Sequence, residues 1–276
     1  MKILVIHGSM RKGTTYALTT EVTNRLATKT DVEIIEFSVA DLDLPFCCSC
    51  NNCFSKGEEY CPHFSITKEV GAALAACDGV ILSGVTYMWA LNAAMKNLLD
   101  HFAYLFHRPS LFGKQGMVIT TAAGVGEKSV AKYLKTVLGQ WGINGAIAVT
   151  QTAKEHSLQS SGTELSSKET MRIDKAAEEF YDNIKSQRCF SPSMKNIAVH
   201  NAFRAMSLGG FSGSELDKQF WSKDGYLNKS YPVKIGVFKR ATGSFVYQAT
   251  KQVTDIVGRI YTRRQKRAIT PSADTK

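Results

Sequence analysis

Lys2–His7 is a short run of apolar, β-branched residues, the pattern of a strand covered on both faces in a parallel sheet. Polar residues and glycines fill positions 8–15. Apolar side chains then recur at Ala17, Leu18, Val22, Leu26 and Ala27, a helical period that predicts a helix over residues 16–28. The alternation continues. Further strands are predicted at 32–37, 79–83, 116–121 and 145–150, and further helices at about 65–76, 90–106, 129–139 and 168–184. Strands alternating with helices make βαβ units, hence an α/β protein with a parallel sheet covered on both sides. Five such strands fit the doubly wound order 2-1-3-4-5, in which ligands bind beyond the carboxyl ends of the first and third strands. Three loops therefore matter most, those after His7, Ser83 and Thr121.

Beyond about residue 189 the alternation stops. Residues 193–208 read as a helix, and 209–231 carry turn signals and aromatics. Over 245–261, Val246, Val253, Val257 and Ile260 lie along one side of a predicted amphipathic helix. We expect an α/β domain over 1–188 and a mainly helical extension over 189–276. Charge divides at the same place. Through Arg188 there are 19 Lys+Arg and 19 Asp+Glu, and from Cys189 onward 15 and 5, so the net charge of +10 belongs entirely to the extension. Such asymmetry fits either a separate module with its own partner or a solvated basic surface.

Composition narrows the classes. Hydrophobic residues at 44% and charged residues at 21% exclude a disordered chain. No apolar run reaches the roughly 18 residues of a spanning helix, and the apolar run at the N-terminus is too short for a signal-peptide core. A cytoplasmic protein is expected. In a reducing compartment, seven cysteines with four inside residues 47–53 speak for metal, redox chemistry or free thiols.

The first loop, Gly8-Ser9-Met10-Arg11-Lys12-Gly13-Thr14-Thr15, leads from a strand into a helix, where backbone N–H groups and the helix dipole favour a phosphate. Ser9, Thr14 and Thr15 bring hydroxyls, Arg11 and Lys12 bring charge, and Thr14 is expected to cap the helix. Neither GxGxxG nor GxxxxGK[ST] is present, so the loop suits a single terminal phosphate. The second loop holds Gly84, Val85, Thr86, Tyr87, Met88 and Trp89, an apolar and aromatic wall for a flat heteroaromatic ring. In the third, Thr121, Ala122, Ala123, Gly124, Val125 and Gly126 are small enough to let backbone approach a ring edge.

Together with the stretch Tyr87…Met95-Lys96…Asp100 and a cysteine-rich loop ahead of the second helix, these loops resemble the NAD(P)H-dependent FMN reductase and iron–sulfur flavoprotein family of the flavodoxin-like superfamily, over about residues 1–185. The resemblance implies a flavodoxin-like fold and bound FMN. Ser9, Arg11, Gly13, Thr14 and Thr15, with Lys12 alongside, would hold the phosphate. Val85, Thr86, Tyr87, Met88 and Trp89 with Thr121, Ala122, Ala123, Gly124 and Gly126 would hold the isoalloxazine. The chain departs from the family at Gly84-Val85, where Ser-Pro is usual, and at His101, where Arg is usual.

Cys47, Cys50, Cys53 and Cys61 read C-x2-C-x2-C-x7-C, a spacing able to wrap one [4Fe-4S] cubane and similar to the motif of iron–sulfur flavoproteins. Zinc on Cys50, Cys53, Cys61 and His63, or free thiols, are the alternatives. Cys48 is an additional thiol, and Cys77 and Cys189 stand alone. His7, His101 and His107 read as structural residues.

The function expected is an FMN-dependent NAD(P)H oxidoreductase. Electrons would pass from a nicotinamide donor to a flavin, quinone, aromatic or protein acceptor, and no side chain need act as a catalyst. Alternatives are an iron–sulfur electron carrier and a non-catalytic flavin-binding regulator. A homo-oligomer is expected. Nucleic acid is not expected as a main partner, since the extension lacks a reading motif. The basic C-terminus, where Arg259, Arg263, Arg264, Lys266 and Arg267 cluster, suits either packing on the protein or peripheral membrane contact.

Overall fold

The computed structural model describes residues 1–152, 165–209, 214–223, 226 and 231–269, with side chains through 260. The chain forms two compact units, residues 1–53 with 57–192, and residues 193–276 with 54–56.

In the first unit, strands β1 (Lys2–His7), β2 (Glu33–Ser38), β3 (Gly79–Tyr87), β5 (Gln115–Ala122) and β6 (Ile147–Thr152) form a parallel sheet in the order β2-β1-β3-β5-β6. This is the predicted doubly wound order. A sixth strand was not predicted. β4 (Ala90–Leu91) runs antiparallel to β3, pairing Thr86 with Leu91 and Tyr87 with Ala90. The strand predicted to end at Ser83 continues to Tyr87, and the helix predicted from residue 90 begins only as α4 (Ala93–His101). It then breaks before the short α5 (Tyr104–His107).

Strand alternation divides the core in two. Leu4, Ile6, Val80, Leu82 and Val118 point to one face, where they pack with α3 (Phe64–Ala76), α4 and α6 (Glu127–Trp141). Ile3, Val5, Ile81, Met117 and Ile119 point to the other, against α1 (Thr14–Ala27) and α7 (Ser167–Lys185). All ten are at most 1% exposed, which is why these strands read as unbroken apolar runs. Each such side chain contributes on the order of 1.5–3 kcal/mol of burial. The capping box of Ser166 and Glu169 fixes the start of α7.

Between β2 and α3 lie the one-turn helix α2 (Asn52–Ser55) and a 3-10 turn at Glu58–Tyr60.

The second unit contains α8 (Met194–Leu208), α9 (Glu215–Trp221) and α10 (Val237–Ile269). Ser193 caps α8 and Ser214 caps α9 through their hydroxyls. The His200 ring sits between those of Trp221 and Tyr231, at 4.8 and 4.7 Å, and the Arg204 guanidinium lies 4.2 Å from the Tyr247 ring centre. α10 is much longer than predicted. Its expected stripe also divides. Val246 and Val257 are half-buried, whereas Val253 and Ile260 are exposed along with Phe238, Phe245 and Ile256. The side chains of Arg263, Arg264, Lys266 and Arg267 lie outside the described residues. Among the described residues no helix is long and apolar enough to cross a membrane.

Candidate functional site

The carboxyl ends of β1, β3 and β5 bring the three predicted loops to one edge of the sheet. Their junctions are specific bonds. Gly8 N–H donates to the Ser83 carbonyl at 3.0 Å, and a Cβ at Gly8 would lie 2.3 Å from that oxygen, so only glycine lets β1 leave the sheet here. Asn92, the residue before α4, donates through Nδ2 to the Gly8 carbonyl at 2.6 Å, joining the first and second loops. The hydroxyls of Thr15 and Thr121 are 2.6 Å apart and join the first to the third. Gly126 starts α6 at a left-handed φ of 103°, and a Cβ there would lie 2.9 Å from Thr86 Cγ2, so the third loop leans on the second.

The N-terminus of α1 departs from expectation. Thr14 is its first helical residue and not its cap; the cap position is Gly13, which has no side chain to accept from the first turn. The physical reason is the extended Gly13 backbone, which starts the helix one residue earlier. Backbone N–H groups there are oriented for an anion. Arg11 and Lys12 are exposed beside them. Ser9 and Thr15, both buried, spend their hydroxyls within the protein, Ser9 donating to the Arg11 carbonyl at 2.7 Å and Thr15 pairing with Thr121.

A cleft of about 680 Å³ opens beside the first and second loops, lined by Met10, Arg11, Val39, Ala40, Asp43, Leu44, Phe46, Val85, Tyr87, Asn92, Ala93, Ala94 and Asn97. Its size and mixed lining suit a flat cofactor. Two buried oxygens at the second loop, Asn92 Oδ1 and Thr86 Oγ1, have no hydrogen-bond partner among the described residues. Such groups cost about 1–3 kcal/mol unless a ligand or water satisfies them. Asn92 carried no sequence signal, because its role depends on a carbonyl 84 residues away.

Tyr87, Met88 and Trp89 are 61%, 94% and 67% exposed, so they are not core residues. Met88 and Trp89 form the two-residue tip of the β3–β4 hairpin, both at left-handed φ (50° and 63°). This backbone normally takes Asn-Gly, and bulky residues there are strained. Ala123, Gly124 and Val125 are exposed, while Thr121 and Ala122 are buried in the end of β5.

The cysteine loop is pinned by Asn97, which accepts from Cys47 N–H at 3.0 Å and donates to the Leu44 and Pro45 carbonyls. Arg108 donates to the Cys53 carbonyl at 2.6 Å. Cys47, Cys48 and Cys50 are exposed, and Cys53 and Cys61 are half-buried. Burial pushes the Cys53 thiol up to about 11, helped by the charges of Cys61, Cys47 and Cys50, which places these thiols within electrostatic reach of one another. Burial also raises Cys61. Among the described residues, Cys61, His63 and His101 bring one donor atom each within 4.8 Å of one another, close enough for a single ion. His101, expected to be structural, is buried and bonded to the Asn97 carbonyl, and it is one of these three donors.

The chain is 31% identical over 144 residues to an iron-sulfur flavoprotein of Archaeoglobus fulgidus, covering 52% of this chain and 64% of the relative. It is 34% identical over 101 residues to an iron-sulfur flavoprotein of Methanocaldococcus jannaschii, covering 36% and 51%. The chain thus spans less than two thirds of the length of these curated relatives. The apo NADH:FMN oxidoreductase EMOB shares the fold, with a TM-score of 0.50 at 20% identity over 65% of this chain and 87% of that one. The NADPH-dependent FMN reductase model matches residues 1–155, more than half of the 276, and the chain belongs to that family.

Proposed function

We propose that the protein is an FMN-dependent oxidoreductase that takes electrons from a nicotinamide nucleotide and delivers them to a flat conjugated-ring acceptor such as a second flavin or a quinone. The observation that carries this reading is the unpartnered Asn92 carboxamide oxygen, buried in the wall of a cleft at the switch point of the sheet. FMN, when bound, supplies the redox chemistry, accepting a hydride equivalent and passing on one or two electrons.

The chain's own residues bind and orient. The head of α1, with Gly13 at its cap position, turns the positive end of the helix dipole toward the phosphate, and Arg11 and Lys12 add charge; the Gly13 N–H itself is engaged by the Arg11 carbonyl at 2.9 Å. Ser9 and Thr15 act by holding the loop in shape, since their hydroxyls are engaged internally. Asn92 Oδ1 and Thr86 Oγ1 offer acceptors, and the Thr86 hydroxyl also a donor, to the polar edge of the ring system. Val85 and Tyr87 line the cleft, and the exposed Met88 and Trp89 give a surface on which a second planar group can stack. The small Ala122, Ala123, Gly124 and Gly126 keep the third loop low.

The purified protein is expected to be yellow, to release about one FMN per chain on denaturation, and to oxidise NADH or NADPH with a quinone. The double variant Arg11→Ala, Lys12→Ala is expected to lose about 1.5–3 kcal/mol of FMN affinity per charge-assisted contact without a change in melting temperature. Release of FAD, or no flavin uptake, contradicts the proposal.

A further inference from the structure

Cys61, His63 and His101, none of which lines the flavin cleft, bring metal-binding atoms together. The Cys61 Sγ and one ring nitrogen from each histidine all lie within 4.8 Å of one another. Their supports are rigid. Cys61 N–H bonds the Glu58 carbonyl at 3.0 Å and Phe64 N–H bonds the Cys61 carbonyl at 3.0 Å, so Cys61-Pro62-His63 is a locked turn leading into α3. His101 is the last residue of α4 and only 5% exposed.

We propose that these three side chains bind one borderline-soft divalent cation of the zinc type, with the fourth tetrahedral position left to a solvent molecule or a thiol of the cysteine loop. The hydrogen bonds around His101 carry the argument. Its Nδ1 is 2.8 Å from the Asn97 carbonyl, which cannot donate, so Nδ1 bears the proton. Its Nε2 is therefore a bare lone pair, and it faces His63 Nδ1 at 2.9 Å. One proton, on His63 Nδ1, fills that gap. A ring N–H anchored on a backbone carbonyl with the opposite nitrogen aimed inward is the usual support of a metal-bound histidine.

A cation replaces that proton in a balanced exchange. The His63 proton moves from Nδ1 to Nε2, leaving both facing nitrogens as lone pairs. The Cys61 thiol releases one proton to solvent and binds as thiolate. No electron moves. Tetrahedral zinc with bonds of about 2.0–2.1 Å to nitrogen sets its ligands about 3.3 Å apart, so the two rings need to separate by only a few tenths of an ångström. Two imidazoles and a thiolate select zinc over hard cations such as magnesium or calcium. The donor set differs from the four thiols of a cubane, and the inference does not rest on the flavin reading.

The test is metal analysis of the full-length protein, with zinc affinity measured by chelator competition and the ligand atoms read by zinc X-ray absorption. We expect one zinc per chain with mixed nitrogen and sulfur neighbours. His63→Ala and Cys61→Ser should each weaken zinc at least on the order of 100-fold, the upper end of what loss of a supporting group alone costs, with FMN content unchanged. His101→Gln does the same and covers the case in which a smaller residue unfolds α4. Iron with inorganic sulfide that survives His63→Ala and His101→Gln overturns the proposal in favour of a cluster on Cys47, Cys50, Cys53 and Cys61. Failure of the native chain to hold zinc above the level of the variants also overturns it.

Discussion

Thr15 in the first turn of α1 and Thr121 near the end of β5 share a hydroxyl–hydroxyl hydrogen bond of 2.6 Å across 106 residues of sequence. Each side chain is 3% exposed, so neither hydroxyl has water as a ready substitute. Thr15→Val or Thr121→Val alone should destabilise the protein by about 1–3 kcal/mol, because the remaining hydroxyl is left buried and unpaired. The double variant should cost clearly less than the sum. Denaturant unfolding of the four proteins measures this, and strict additivity would mean that the two hydroxyls do not act as a pair.

The hairpin tip offers a trade between stability and binding. Met88 and Trp89 hold left-handed backbone that Asn and Gly adopt at little cost. Met88→Asn with Trp89→Gly should raise stability by about 1 kcal/mol or more, while weakening the acceptor's apparent KM severalfold. Melting curves and steady-state kinetics with a quinone check both halves. An unchanged KM would remove the tip from acceptor binding.

In the second unit, burial, with the Arg204 charge second, pushes the His200 imidazole down to about 3. An unfolded histidine binds its proton near 6.5. Between these values the unfolded chain holds more protons, so stability rises with pH. The contribution is complete above about 6.5 and is lost as pH falls toward 3, with a limiting slope of about 1.4 kcal/mol per pH unit. His200→Gln should remove that slope. The comparison of unfolding midpoints for the two proteins between pH 7 and pH 4 isolates it from other titrating groups.

The parallel sheet was readable because its central strands β1, β3 and β5 are buried on both faces. Ile3 through Ile6 alternate between two cores, yet all four are apolar, so a short β-branched run sufficed. The hairpin was not readable in the same way. Thr86 and Tyr87 look like loop residues after a strand, and Ala90-Leu91 look like helix, because a two-residue turn with Met-Trp at its tip violates the local preference that would announce it. Side-chain partners were hidden for a different reason. Asn92 matters through the Gly8 carbonyl and His101 through His63, contacts spanning 84 and 38 residues that no local pattern encodes. On α10, periodicity grouped Val246 with Val253, but only packing decides that one is half-buried and the other exposed.

The bond between Thr15 and Thr121 also sets an order of events in time. A chain emerging from the ribosome carries the whole of the first loop long before β5 exists, and β1 must await β3, some 76 residues later, for its own closing contacts. Loop closure over such spans is slow relative to helix formation. The loop at the head of α1 is therefore unfinished until β5 has joined the sheet, so a group that binds there is captured late in the maturation of this domain.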